Sequence, residues 1–170
     1  MGIYTKRGDT GTTQLGDKTI VSKSDERIEL LGSIDELSSN IGLAKVIAGP
    51  QLKENLTQIQ IQLSQMMAGI SEPQNPEYNF TKELTLDLEN KIDHLENSFQ
   101  RKKCFVLYGG CEESARLDVA RAITRRVERR FKSVSQNYTV DKKAMQYINR
   151  LSDYLYIAAR YADYLNSVDK

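Results

Sequence analysis

Apolar residues recur along this chain at intervals of three, four and seven, the spacing that gathers side chains on one face of an α-helix. Ile28, Leu31, Ile34, Ile41 and Ala44 form one such stripe, and Leu52, Leu56, Ile59, Leu63, Met66 and Ile70 form a second. Leu84, Leu88, Ile92, Leu95 and Phe99 make a third, and Ala144, Ile148, Leu151, Leu155, Ala158, Ala162 and Leu165 make a near-heptad suited to the shallow crossing angle of a bundle. Each stripe needs a partner to cover it, so the pattern predicts long helices packed side by side. Gly49-Pro50 reads as a tight turn with proline at a helix start, and Ser71-Glu72-Pro73-Gln74-Asn75-Pro76 as a loop. Thr81 and Asp141 are the expected N-caps of the third and last helices.

Two stretches break the regularity. The first is the N-terminal segment, which runs as an irregular loop to Ser24; the second is Lys103 to Gly110, an apolar run ending in Gly109-Gly110 just before an arginine-rich helix. Phe105 within that run has two readings: filler for the core, or part of a cavity floor.

Length and charge narrow the class. At 170 residues the chain suits a single domain, residues 1–170, with 1–24 as a binding loop and 25–167 as the helical bundle. The balance of 24 Lys plus Arg against 23 Asp plus Glu, net +1, argues against general adhesion to nucleic acid or membranes, so any basic site is local. No apolar run approaches the length of a membrane span and the N-terminus lacks a signal-peptide core, which predicts a cytoplasmic protein. Cys104, Cys111 and the single His94 cannot by themselves build a zinc site, a disulfide framework or a catalytic triad. The cysteines read as reduced thiols, and His94 as a partly exposed helix residue.

Chemistry concentrates in two clusters. Tyr4, Thr5, Lys6, Gly8, Asp9, Gly11, Thr12 and Thr13 combine glycines that let backbone amides approach an anion, hydroxyls that donate to it and a cation to balance it. The same composition also suits a disordered end. In the second cluster, Arg121, Arg125 and Glu128 lie at i, i+4 and i+7 and share a helix face, and two guanidinium forks on one face suit a polyphosphate. Six cations and one anion between Arg121 and Lys132 repel one another unless negative charge lies nearby. A solvated basic face or a nucleic-acid contact helix would read the same way.

Four motifs, in order, carry a family resemblance: Tyr4-Thr5-Lys6-x-Gly8-Asp9-x-Gly11, Gly32-Ser33-Ile34-Asp35-Glu36-Leu37, Arg121-x-x-x-Arg125-Arg126-x-Glu128-Arg129 and Asn149-Arg150-Leu151-Ser152-Asp153-Tyr154-Leu155. Together they span nearly the whole chain, which resembles the trimeric, propanediol-utilization (PduO) type of ATP:cob(I)alamin adenosyltransferases. The resemblance implies an all-α, five-helix, ferritin-like up-and-down bundle that assembles as a homotrimer with active sites at the subunit interfaces. It also implies the reaction, in which the cobalt of cob(I)alamin attacks the 5′-carbon of ATP and inorganic triphosphate leaves. Such a protein needs no nucleophile of its own; it supplies position and charge stabilisation.

Residue by residue, the resemblance implies that Tyr4, Thr5, Lys6, Gly8, Asp9, Gly11, Thr12 and Thr13 wrap the nucleotide, with Lys23 reaching its phosphates. Arg125, Asn149 and Ser152 would complete that pocket from a neighbouring subunit, and Arg121 would pair with Asp35 across the interface. Glu128 would either orient the arginines or approach a Mg2+ ion carried on the ATP phosphates. Phe105 would exclude the lower axial ligand of cob(II)alamin, leaving cobalt four-coordinate and easier to reduce. A flavoprotein reductase and a B12-dependent enzyme are implied as partners, and nucleic acid and membrane are not. The chain departs from the family pattern at Tyr108 and Cys111, where Leu-Pro-Gly-Gly-Ser is usual, at Leu31-Gly32, and at Gly16-Asp17-Lys18, where a Gly-Gly-x-Arg stretch is often found. These changes bear on corrinoid preference more than on ATP, and Cys111 reads as a buried helix-start residue. Two rival classes differ in outcome: an ATP-binding regulator would release no triphosphate, and a nucleic-acid-binding bundle would bind in a salt-sensitive way.

Overall fold

The computed structural model describes residues 6–101 and 105–166. Among the described residues the predicted stripes become five α-helices: α1 (Glu26–Ile47), α2 (Pro50–Ser71), α3 (Lys82–Ser98), α4 (Glu112–Val134) and α5 (Lys142–Leu165). Helix α1 packs on α2 and α4, α4 on α5, and α5 on α3. The spine of the bundle is α5, where Tyr147, Ile148, Leu151, Tyr154, Leu155 and Ala159 are wholly buried. Burying side chains of this size stabilises by roughly 2 kcal/mol each, which is why the stripes govern the packing.

The helix ends follow local chemistry. Gly49 is the N-cap of α2 and Pro50 supplies a fixed φ at its first position, where no amide is needed. Asp141 does more than cap: one carboxylate oxygen accepts the Lys143 amide at 2.8 Å and the other accepts the Phe80 amide at 2.7 Å. The start of α3 is thereby tied to the start of α5, with Phe80 edge-on to Tyr147 at 5.3 Å. Thr81 sits at the N-cap of α3 as expected, but its side chain makes no capping bond. At α4, Cys111 is half-buried rather than buried and forms a capping box in which Ser114 Oγ accepts the Cys111 amide at 3.0 Å.

Three further expectations change. The N-terminal segment is not wholly irregular: β1 (Thr12–Gln14) and β2 (Ile20–Ser22) pair antiparallel, Thr13 opposite Val21. The turn between them holds Lys18 at φ 71°, the left-handed residue that a short hairpin connection requires. On α1 the core face is Leu30, Ile34, Leu37, Ile41 and Ala44, whereas Ile28 and Leu31 are only partly buried and line a cavity beneath the hairpin. Helix α1 therefore carries two apolar faces, one for the bundle and one for the N-terminal segment. At the far end of α5, Leu165 is exposed instead of continuing the stripe.

Candidate functional site

The N-terminal cluster is built on a tight turn. Residues Arg7–Thr10 form a single 3-10 turn flanked by left-handed residues, Lys6 at φ 59° and Gly11 at φ 82°. Such reversals of backbone hand turn successive amides toward one side, the arrangement that binds anions. Gly8 lies directly beneath Lys23: a Cβ built on Gly8 would stand 3.0 Å from the Lys23 ammonium nitrogen. The Lys23 amide is bonded to the Gly11 carbonyl at 2.9 Å, which ties the lysine backbone to the turn its ammonium overlies. Asp9, Thr12 and Lys23 are exposed and available to a ligand. Tyr4 and Thr5 lie outside the described residues.

This segment is anchored to the bundle at the hairpin turn. The Gly16 amide donates to Ser71 Oγ and the Asp17 amide to the Ser71 carbonyl, both at the end of α2. A Cβ at position 16 would lie 2.7 Å from Glu72 Cγ, so any larger residue there must displace the Glu72 side chain. Leu15 and Val21 are buried, and below them a cavity of about 720 Å³ brings Thr13, Lys23 and Asp35 together with Ile28, Leu31 and Met67.

The arginine helix resolves its own repulsion largely within the chain. Arg126 is paired with Glu36, and Arg130 with Glu29 at 2.8 Å, so α1 carboxylates neutralise two of the cations. Among the described residues Arg125 and Arg129 make no ion pair, and both are exposed. The basic stripe of the nucleic-acid reading is thus interrupted, and Arg125 and Arg129 are left as uncommitted forks. Beside it, Glu128 accepts a hydrogen bond from Asn149 Nδ2 at 2.7 Å, linking α4 to α5. Ser152 is buried, and its hydroxyl donates to the Asn149 carbonyl at 2.9 Å, so it shapes the backbone behind Asn149 rather than presenting a free hydroxyl.

The corrinoid-side expectations are placed differently. Phe105 does not fill the core: it is 87% exposed, next to exposed Leu107 and Tyr108. Arg121 is engaged within its own chain, where its Nε donates to Asp118 at 3.3 Å, and Asp35 lies exposed on α1 in the cavity under the hairpin. Cys104 is outside the described residues. Sequence reasoning missed the group beneath Tyr108, in which buried Arg160 is held by Asp118 at 2.6 Å and Asp163 at 3.0 Å. The i,i+3 spacing of Arg160 and Asp163 was its one local signal; Asp118 comes from another helix.

Among the described residues the N-terminal cluster makes no hydrogen bond or ion pair with α4 or α5, so one chain keeps the two candidate halves on separate elements. A profile of known proteins, cobalamin adenosyltransferase, matches residues 3–162. The chain belongs to the cobalamin adenosyltransferase family. Within that family it is 40% identical over 169 residues to the corrinoid adenosyltransferase PduO of Citrobacter freundii, covering 96% of this chain and 50% of that protein. The chain thus spans about half the length of the PduO relatives it matches, whereas it covers 86% of the Bacillus subtilis corrinoid adenosyltransferase at 38% identity, with 94% of this chain aligned. Its fold superposes on a variant PduO-type ATP:corrinoid adenosyltransferase from Lactobacillus reuteri complexed with cobalamin and ATP, with a TM-score of 0.92, 36% identity, and 98% and 96% of the two chains covered. A second variant of that enzyme, complexed with ATP, gives a TM-score of 0.91 at 36% identity, covering 97% of this chain and 96% of the other. Among the described residues no helix of this family member is long and apolar enough to cross a membrane.

Proposed function

We propose that the chain transfers the 5′-deoxyadenosyl group of ATP to the cobalt of cob(I)alamin, giving adenosylcobalamin and inorganic triphosphate. The observation that carries this reading is the likeness, over 98% of the chain, to an enzyme complexed with both cobalamin and ATP. The geometry agrees with what such a reaction demands. The Co–C bond forms as the C5′–O bond breaks, cobalt is formally oxidised from Co(I) to Co(III), and the electron pair leaves on the triphosphate. The protein's task is to neutralise that leaving group and to keep the two reactants in line.

In this reading Tyr4, Thr5, Lys6, Gly8, Asp9, Gly11, Thr12, Thr13 and Lys23 hold the nucleotide, and Arg125 and Asn149 close the pocket with Ser152 behind them. Because those groups lie on separate elements of one chain, the site is read as shared between protomers of a homotrimer, with Arg121 approaching the neighbour's Asp35. Phe105, exposed in the single chain, is the apolar wall offered to the lower face of the corrinoid. Mg2+ would arrive on the ATP phosphates as part of the substrate, with Glu128 either approaching it or orienting the arginines. The chain would act as one domain in the cytoplasm, with a flavoprotein reductase supplying the electron and a B12-dependent enzyme receiving the product.

The decisive experiment incubates the purified chain with ATP, magnesium and chemically reduced cobalamin. Conversion of the cobalt spectrum to that of the alkylated corrinoid, with one triphosphate released per turnover, is expected. ATP binding without triphosphate release would overturn the assignment in favour of a regulator.

A further inference from the structure

On either side of Phe105, Arg101 and Tyr108 are both seated on α5 through one alternating stack of cations and aromatic rings. The Arg121 guanidinium carbon lies 4.8 Å from the centre of the Tyr108 ring, and that of Arg160 lies 5.7 Å from the same ring. Arg160 is also 5.4 Å from the Tyr156 ring, over which Arg101 lies at 5.8 Å. The order Arg121, Tyr108, Arg160, Tyr156, Arg101 therefore runs from α4 across α5 to the end of α3.

The stack has a fixed centre. Arg160 is 1% exposed, its Nη2 is 2.6 Å from Asp118 and 3.0 Å from Asp163, and its Nε donates to Asp163 at 3.1 Å. Asp118 also accepts from Arg121 through its other oxygen, so two carboxylates balance two guanidiniums. The Nη1 of Arg160 has no hydrogen-bond partner, which leaves the neighbouring π-faces as part of its compensation. A desolvated, doubly anchored guanidinium is a rigid platform, whereas Tyr108 itself is over half exposed.

We propose that Tyr108 is a positioning residue for corrinoid activation: its ring, clamped on Arg121 and Arg160, sets where the neighbouring Phe105 is presented. The inference rests on the adenosyltransferase reading above. The phenol hydroxyl takes no part in it; the ring face does. Loss of the ring should loosen Phe105 without touching the nucleotide groups, because none of those lies in the stack.

The test compares the full-length chain with Tyr108→Ala and Tyr108→Phe. With ATP and cob(II)alamin bound, electron paramagnetic resonance reads the four-coordinate fraction, and turnover is measured from cob(II)alamin with a reductant and from pre-reduced cob(I)alamin. Tyr108→Ala is expected to lower the four-coordinate fraction and the cob(II)alamin rate by roughly fivefold, with the KM for ATP and the pre-reduced rate kept. Tyr108→Phe is expected to match the parent. An unchanged four-coordinate fraction in Tyr108→Ala would overturn the proposal, as would a Phe variant that falls as far as Ala. Hydrogen–deuterium exchange across residues 105–110 is the readout that needs no activity. If the parent makes no adenosylcobalamin even from cob(I)alamin, the adenosyltransferase reading fails and the role in corrinoid activation with it, whereas faster exchange in Tyr108→Ala alone would still demonstrate the clamp.

Discussion

Glu128 on α4 accepts a 2.7 Å hydrogen bond from the side-chain amide of Asn149 on α5. The pair orients the Asn149 side chain beside Glu128, which lies one helical turn from Arg125 on α4, and it occupies one of the two Glu128 carboxylate oxygens. Glu128→Ala is expected to raise the KM for ATP about tenfold, the lower end of what a hydrogen bond to a charged group is worth. Glu128→Gln keeps an acceptor oxygen and should stay close to the parent, with the magnesium requirement unmoved. A shifted magnesium dependence in Glu128→Gln would assign the residue to the metal instead.

Gly8 and Lys23 are in contact by design of the turn, since a Cβ on Gly8 would press on the lysine ammonium at 3.0 Å. Gly8→Ala should displace that ammonium and raise the KM for ATP several-fold. Gly8, Asp9 and Thr10 are exposed or half-exposed, so the melting temperature should move by no more than about 2 °C. Calorimetric titration with ATP alongside a thermal melt checks both halves.

Phe105, at 87% exposure, contributes little to the core of the single chain. Phe105→Ala should therefore leave folding stability and ATP affinity intact while slowing turnover from cob(II)alamin by orders of magnitude. Normal turnover, with four-coordinate cobalt still visible by spectroscopy, would remove Phe105 from the site.

Burial pushes the Tyr154 phenol from its ordinary 10.0 up to about 12, with its hydroxyl accepting from Asn55 at 3.1 Å, and pushes Tyr147 upward as well. Both are neutral in the folded chain and ionise more readily when unfolded. Their contribution is therefore fully present below about pH 10 and is lost as pH rises toward the folded values, at about 1.4 kcal/mol per pH unit for each tyrosine. Urea unfolding between about pH 9 and about pH 11 should show that decline, and Tyr154→Phe should reduce its slope by about half.

How far the pattern of residues could be read depended on distance along the chain. The stripes of α2, α3 and, up to Ala162, α5 are local and map directly onto packing. On α1, leucine and isoleucine occur on two faces, and periodicity alone cannot say that Ile28 and Leu31 serve the hairpin while Leu30 and Leu37 serve the bundle. Strands of three residues give too little alternation to reveal β1 and β2. The charge excess on α4 was visible, but the carboxylates that answer it sit some 90 residues away for Arg126 and Glu36. Motif resemblance supplied the candidate site; it gave no hint that Arg160, wholly enclosed, underlies the Phe105 segment.

The attachment of the hairpin to Ser71 has a consequence for how the protein is put together. Fifty-five residues separate Gly16 from the hydroxyl it grips, so an isolated N-terminal peptide holds the candidate nucleotide groups but lacks the bracket that sets their pose. Closing so long a loop is entropically costly until α1 and α2 have already docked. The segment that carries the candidate nucleotide groups thus gains its shape from a helix end that lies far along the chain.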